Sequence, residues 1–279
     1  MFPDEQKVGV IRRGSIDTNI IYNEECLKGM SERIPDSSID MILADLPYGT
    51  TQNKWDSVIP LDELWEQYKR VIKENGAIVL TASSNFTPKL KISNLSWFRY
   101  EWIWEKDRAS GFLNANRLPL RAHENIVVFY KKMPTYNPQK TKGHKPSNRN
   151  GRKHKDTTNY GNFEHKIKGG QTDRYPRSVI KFNVVNTQSK EGYLHPTQKP
   201  VKLFEYLIKT YTNKNEVVLD NVIGSGTTAV ACLKTNRKFI GFEKEEKYYN
   251  IALKRIGKID KNYYNELPEE EKPRQAQLF

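Results

Sequence analysis

Two short stretches of this chain hold residue types that could do chemistry. In "IDMILADLPYGTT" an apolar run ends at Asp45, and Leu46, Pro47, Tyr48 and a glycine follow at once. On its own this is an ordinary strand-to-turn junction, with Pro47 suited to the turn and Tyr48 to packing at the sheet edge. Its place at the carboxyl end of a strand points to chemistry, because open α/β sheets put their sites there. In "VLDNVIGSGTTAVACL" a strand stops at Asp220, and Gly224 and Gly226 let backbone approach a ligand closely. The following helix would aim its N-terminal N–H groups at negative charge. Glu243 ends the next strand, 23 residues after Asp220, where an acid can accept hydrogen bonds from ribose hydroxyls.

The glycine turn therefore reads as a nucleotide or nucleoside site. A dinucleotide fingerprint would carry a third glycine where threonine and alanine stand here, and there is no GxxxxGK[ST] run. S-adenosylmethionine has a carboxylate, an ammonium, a ribose and an adenine but no phosphate, and a GxG followed by Thr227 and Thr228 suits it better. An NAD-dependent oxidoreductase would explain this turn, but neither "DLPYG" nor the basic segment described next.

Three regions must position these residues. From Asn19 to Tyr130, strands "IDMILAD" and "GAIVLTAS" flank "LDELWEQYKRVIKEN". There Leu61, Leu64, Trp65, Tyr68, Val71 and Ile72 recur at helical spacing. That is a βαβ unit of a largely parallel sheet, with "EWIWEK" and "ENIVVFYKK" as an antiparallel pair beyond it. Residues 131–190 lose the periodicity and hold 15 Lys and Arg against 3 Asp and Glu, a balance of +12 against +13 for the whole chain. Tyr136, Tyr160, Phe163 and Tyr175 interleave with these cations, favouring a nucleic-acid surface over a plain solvated loop. From 191 to 259 follow a helix opening near Pro200, strand "EVVLD", the glycine turn, helix "TTAVACLKTN" and strand "KFIGFE"; residues 260–279 are a polar tail. The predicted architecture is a doubly wound, Rossmann-like α/β domain with a basic insertion.

Composition narrows the classes further. A net charge of +13 and pI near 9.5 point to a polyanionic partner. An acidic membrane surface competes, but no basic amphipathic anchor helix is evident. Cys26 and Cys232 stand far apart, and His144, His154 and His165 lie at no metal spacing, so neither a disulfide framework nor a metal site is expected. No apolar run approaches membrane-spanning length and no secretory h-region opens the chain. A soluble, cytoplasmic protein is the expectation.

"DLPYG" resembles the Asp-Pro-Pro-Tyr signature of amino-directed DNA methyltransferases, and "HPTQKP" and "GSGTT" resemble that family's other motifs. The order, catalytic turn first and cofactor turn last, resembles its β class, and "DLPYGTTQNKWD" with "PLRAHENIVVFYKK" its phage-type adenine branch. The resemblance spans Asn19 to Ile259. It implies a methyl transfer from S-adenosylmethionine to a base amine in double-stranded DNA, within restriction–modification chemistry. Asp45 and the Leu46 carbonyl would accept the amine N–H groups, Tyr48 would stack on a flipped base, and Pro47 would fix the turn. On the cofactor side stand Asp220, Gly224, Ser225, Gly226, Thr227, Thr228 and Glu243, with Thr197 and Lys199 of "HPTQKP" and Glu25 as further contacts. Asn221 and Val222 replace the usual Pro and Phe, which puts an aromatic contact to the cofactor adenine in doubt. His195 has a capping role as its alternative, and His123 and Glu124 have no assigned role.

An acid at position 45 favours adenine N6, since cytosine N4 enzymes of the family often carry serine there. The rivals are that N4 reaction and a non-catalytic DNA-binding protein with a degenerate site. The resemblance leaves a homodimer open. The terminal "QAQLF" resembles the peptide that docks bacterial DNA enzymes on the sliding clamp, through Gln275, Leu278 and Phe279. An incidental apolar terminus is the alternative.

Overall fold

The computed structural model of the chain describes residues 16–49, 57–147, 153–154, 163–164, 169–187, 189, 198–268 and 272. An eight-stranded sheet forms its centre. In chain order the elements are β1 (Ile20–Tyr22), α1 (Cys26–Arg33), β2 (Ile39–Ala44), α2 (Leu61–Val71), β3 (Ile72–Ala82), α3 (Phe86–Ser93), β4 (Phe98–Ser110) and β5 (Arg121–Phe129). After them come the two-residue pair β6 (Lys153–His154) and β7 (Phe163–Glu164), then β8 (Val179–Phe182), α4 (Val201–Tyr211), β9 (Val217–Asp220), α5 (Thr227–Thr235), β10 (Lys238–Phe242), α6 (Glu246–Gly257) and α7 (Tyr263–Glu266).

The strand order is β1-β10-β9-β2-β3-β5-β4-β8. The five strands from β1 to β3 run parallel, β5 is antiparallel to both β3 and β4, and β8 returns parallel to β4. Parallel strands covered on both faces need continuous apolar runs. Met41, Ile42, Leu43 and Ala44 of β2 and Ile78, Val79 and Leu80 of β3 accordingly have no exposed surface. These strands, the β4/β5 antiparallel pair and the start of α4 at Pro200 agree with the sequence pattern.

The first helix of the βαβ unit is shorter than its sequence pattern suggests. α2 buries Leu64, Trp65, Tyr68 and Val71, with Asp62 and Glu63 in its first turn and Lys69 and Arg70 in its last, the order that the helix dipole favours. The predicted helix ran on through Asn75, but the observed one stops at Val71. Ile72 is already extended and pairs with Ile39 of β2. Ladder formation with a neighbouring strand outweighs weak local helix preference there.

Two features place the site. β2 lies between β9 and β3, with Ile42 opposite Leu219. From β2 the chain crosses through α2 to β3 on one side, and from β9 through α5 to β10 on the other. The carboxyl ends of β2 and β9 thus flank the point where the winding reverses, the crevice where such sheets bind ligands.

The stretch expected as an insertion at 131–190 begins and ends within the main body. The Asn137 amide donates to the Thr210 carbonyl at 2.7 Å, the Tyr136 and Tyr211 rings sit 6.2 Å apart, and β8 belongs to the main sheet. Between these anchors, isolated bridges Thr141↔Arg174 and Ser147↔Gln171 run the two limbs antiparallel. Among the described residues no helix is long and apolar enough to cross a membrane, and no three His, Cys, Asp or Glu side chains cluster to hold a metal.

Candidate active site

A cleft of about 670 Å³ opens over the carboxyl ends of β2 and β9. Asp45, Leu46, Pro47 and Tyr48 line one end, while Asp220, Gly224, Ser225, Thr227 and Glu243 line the other, with Glu25 on the wall. The two stretches are 175 residues apart in sequence and share one cavity.

At the first end, Asp45 sits inside a charged network. Lys199 Nζ lies 2.8 Å from Asp45 Oδ2 and 3.2 Å from Glu124 Oε2, and Lys106 Nζ lies 3.2 Å from Glu124 Oε1. Two cations and two anions alternate, so this buried set is neutral, as burial of charge requires. The Thr81 hydroxyl donates to Asp45 Oδ1. The Tyr48 hydroxyl is 2.9 Å from the same oxygen and 3.0 Å from Thr81 Oγ1. The Tyr48 ring stacks on Phe86 at 5.1 Å, and the Lys199 ammonium stands 5.7 Å from its centroid. Burial would lower the Lys199 ammonium, but Asp45, Tyr48 and Glu124 around it hold it well above the ordinary lysine range. Burial likewise works to raise the Glu124 carboxyl, and Lys199 and Lys106 bring it below its usual value. The Tyr48 phenol is pushed well up by burial and by Asp45. It is therefore a donor at every working pH.

At the second end the glycine turn is built as the sequence suggests, though its residues divide by task. Gly224 has φ +54, and nothing but the Val222 carbonyl at 3.9 Å would meet a Cβ there. Its amide donates to Glu243 Oε2 at 2.9 Å. Gly226 has φ +82, and an added Cβ would come within 2.9 Å of Ala252 Cβ on α6. Gly224 faces the cleft; Gly226 and Thr228 stand behind it, and the Thr228 hydroxyl donates to Asp220 Oδ2. Asp220 Oδ1 accepts the Val222 amide at 3.1 Å. Burial is the main reason its carboxyl rises to about 7, against the hydrogen bonds from Thr228 and Val222, with Asp45 and Glu243 adding to the rise. Burial also raises Glu243, whose Oε1 accepts the Glu245 amide at 2.8 Å. Each carboxylate oxygen has two acceptor sites, so Glu243 keeps capacity for ligand hydroxyls.

Several side chains at the cleft also tie neighbouring elements together. Glu25 caps α1, accepting from the Leu27 and Lys28 amides at 3.0 and 2.9 Å. Burial works to raise its carboxyl, and these amides hold it below the usual range. Asn221, which stands where the resembled family usually has proline, is buried and accepts the Tyr68 hydroxyl at 2.6 Å. Its amide reaches Cys26 Sγ at 3.5 Å, so this departure ties α2 and α1 to the turn. Val222 lines the cleft. Arg255, buried on α6, donates to Ser225 at its carbonyl (2.7 Å) and Oγ (3.0 Å) and to Thr227 Oγ1 (3.2 Å).

Lys199, expected beside the cofactor, lines the shared cleft and pairs with Asp45 at 2.8 Å. Thr197 and His195 lie outside the described residues, as do Gln275, Leu278 and Phe279. Glu124 carries no role in the sequence motifs, Tyr68 stands there only as a helix-face position, and Lys106, Thr81 and Arg255 belong to no motif. No local pattern marks their polar contacts, because the partners are distant in sequence. His123 is exposed on β5, away from the cleft lining.

Comparison with known proteins agrees with this geometry. Residues 39–254 match the DNA methylase family N6_N4_Mtase. The chain is 30% identical over 266 residues to Type II methyltransferase M.BglII of Bacillus subtilis, covering 88% of this chain and 71% of that protein. It is 27% identical over 275 residues to Type II methyltransferase M.HinfI of Haemophilus influenzae, covering 88% and 70%. In fold it is similar to the M1.HpyAVI–SAM complex (TM-score 0.58, 24% identity, 85% and 98% of the two chains). It is similar also to PvuII DNA methyltransferase, which is cytosine-N4-specific (TM-score 0.63, 16% identity, 89% and 92%). With a doubly wound sheet, an acid-Pro-Tyr turn and a glycine turn in one cleft, and a family match across most of its length, the chain belongs to the amino-directed N6/N4 DNA methylases, whose methyl donor is S-adenosylmethionine.

Proposed function

We propose that this methylase acts on the exocyclic N6 amine of adenine within a specific sequence of double-stranded DNA, the target base being flipped into the Asp45 end of the cleft. The observation that carries the reading is the shared cleft, with Asp45 to Tyr48 facing Asp220, Gly224 and Glu243.

When bound, S-adenosylmethionine supplies an electrophilic methyl group on a sulfonium. Glu243 would take its ribose hydroxyls, and Gly224 and Ser225 would let its amino-acid end approach the start of α5. An adenine amine is a poor nucleophile because its lone pair is delocalised into the ring. The Asp45 carboxylate and the Leu46 carbonyl accept its two N–H bonds, turn the nitrogen towards tetrahedral geometry and aim the lone pair at the methyl. As the new N–C bond forms, the methyl–sulfur bond breaks and its electron pair stays on sulfur as a neutral thioether, while the amine sheds a proton that Asp45 is in place to receive. Tyr48, backed by Phe86, offers the base a stacking face, and unstacking from the duplex is what gives it access. Lys199, clamped by Glu124, pairs with Asp45 and fixes the orientation of its side chain in the cleft. An acid at this position supports adenine over cytosine.

Lys and Arg of the 131–190 excursion would supply phosphate contacts, with other side chains reading base edges in the major groove. The enzyme would work in the cytoplasm. A homodimer, and a sliding-clamp contact through Gln275, Leu278 and Phe279, are separate proposals. Sedimentation of the full chain tests the first, and clamp pull-down with and without the last five residues tests the second.

The deciding experiment is nucleoside mass spectrometry of DNA from a methylation-deficient host expressing the wild type or Asp45→Ala. N6-methyladenine with the wild type alone is expected. N4-methylcytosine would move the assignment to cytosine, and neither mark from folded protein would favour the non-catalytic reading.

A further inference from the structure

β4 and β5 form a hairpin longer than the sheet requires. They pair continuously from Tyr100↔Val128 to Glu105↔His123 and again at Ser110↔Arg121, so the tip stands beyond the cleft edge. There Gly111 (φ +99) turns the chain into a single 3₁₀ turn, Phe112–Asn114. Phe112 is 74% exposed, Leu113 102% and Leu118 62%. Two neighbouring large apolar side chains held largely in water at a hairpin tip are an unmet contact.

The surroundings of the tip say what would meet it. Between Arg108 and Arg121 the sequence holds three arginines and no acid. Arg108 and Arg117 are exposed, with no acidic partner among the described residues. Arg121 donates to Ser84 Oγ at 3.1 Å, and Arg121, Ser110 and Ser84 line the cleft that holds Asp45 and Tyr48. The apolar tip therefore stands at the mouth of the base-binding end, ringed by cations. A second copy would bring a net charge of +13 against this basic patch. A duplex offers phosphates for the arginines and a base stack for the apolar pair.

We infer that Phe112 and Leu113 form a wedge that enters the base stack beside the target nucleotide, with Arg108 and Arg117 on the flanking phosphates. The inference rests on the reading above, that the target base is flipped out of double-stranded DNA. A base leaving the stack exposes the faces of its neighbours, and an apolar wedge replaces the contact they lose. The wedge acts on the paired duplex, not on the methyl transfer itself.

The test compares full-length wild type with Phe112→Ser/Leu113→Ser, both side chains being exposed and outside the core. Single-turnover methylation is measured on a duplex that the wild type modifies, and on the same duplex with an abasic site opposite the target base. The variant is expected to lose about 10- to 100-fold on the paired duplex, the scale of a lost unstacking contact, and to match wild type on the unpaired target. Equal rates on the paired duplex would overturn the wedge. An equal loss on both substrates would instead mean a general binding role, and conversion of a dimer to monomer would mean a contact between copies. A wild type that methylates no DNA at all would overturn the underlying reading, and the wedge with it.

Discussion

Lys199 is the residue whose removal should tell most about how the site works. It lies buried between Asp45 and Glu124, and taking it away would leave two carboxylates facing each other with Lys106 as their remaining cation. Breaking a buried pair from one side costs about 3–5 kcal/mol. Lys199→Met should therefore melt earlier and slow methyl transfer about 100-fold, with affinity for S-adenosylmethionine little changed. Adding Glu124→Gln should recover part of the stability. If cofactor affinity fell as far as the rate, Lys199 would be the cofactor contact that its motif suggests. Asp220 gives a second residue-scale expectation. Its carboxyl stands at about 7 against an ordinary 3.8, so protonation is favoured in the folded state. The associated stability is complete below pH 4 and is lost as pH rises towards 7. Thermal melting of the unliganded protein should show Asp220→Asn gaining on wild type across that window, by about 2–4 kcal/mol at its end.

Among the elements, the turn between β9 and α5 separates two duties of glycine. At Gly226 the left-handed backbone and the close approach of Ala252 act together. At Gly224 the backbone is left-handed too, but the space beside it is open to the cleft. A left-handed residue with a Cβ costs about 1–2 kcal/mol. Gly224→Ala should lose roughly that much stability, and cofactor affinity should fall about tenfold as the Cβ enters the ligand's space. Gly226→Ala should lose more stability, because α6 must also move. Melting curves and cofactor titration on both variants distinguish these outcomes. α2 carries a different lesson. Its apolar spacing was legible, yet its end was not, because Ile72 is drawn into pairing with Ile39.

At the scale of the whole molecule, charge is the governing quantity. Most of the +13 resides in residues 131–190, whose described limbs expose Lys142 and Lys145, while Lys140 is paired with Asp173 at 3.0 Å. Release of counterions by about 6–10 phosphate contacts would make the logarithm of DNA affinity fall with log salt at a slope of about −5 to −9. Lys142→Gln/Lys145→Gln should flatten that slope by about 1–2, and Lys140→Gln by less. Filter binding of a fixed duplex across a salt series checks both.

The sequence by itself determined the fold class, the two turns and the concentration of positive charge. Each is written in neighbouring residues: apolar runs of strand length, a glycine pair after an acid, cations in a row. Burial periodicity follows from local spacing, and so it survives in the linear text. The tertiary structure alone decided that Lys199 pairs with Asp45, and that Glu124 and Lys106 complete the charge balance. It also decided that Asn221 is a tie to Tyr68, and that Phe112 and Leu113 stand exposed at the β4–β5 hairpin tip. These depend on which strands lie side by side. Residues 45, 124 and 199 meet because β2, β5 and the approach to α4 converge on one end of the sheet, and no local pattern records that pairing.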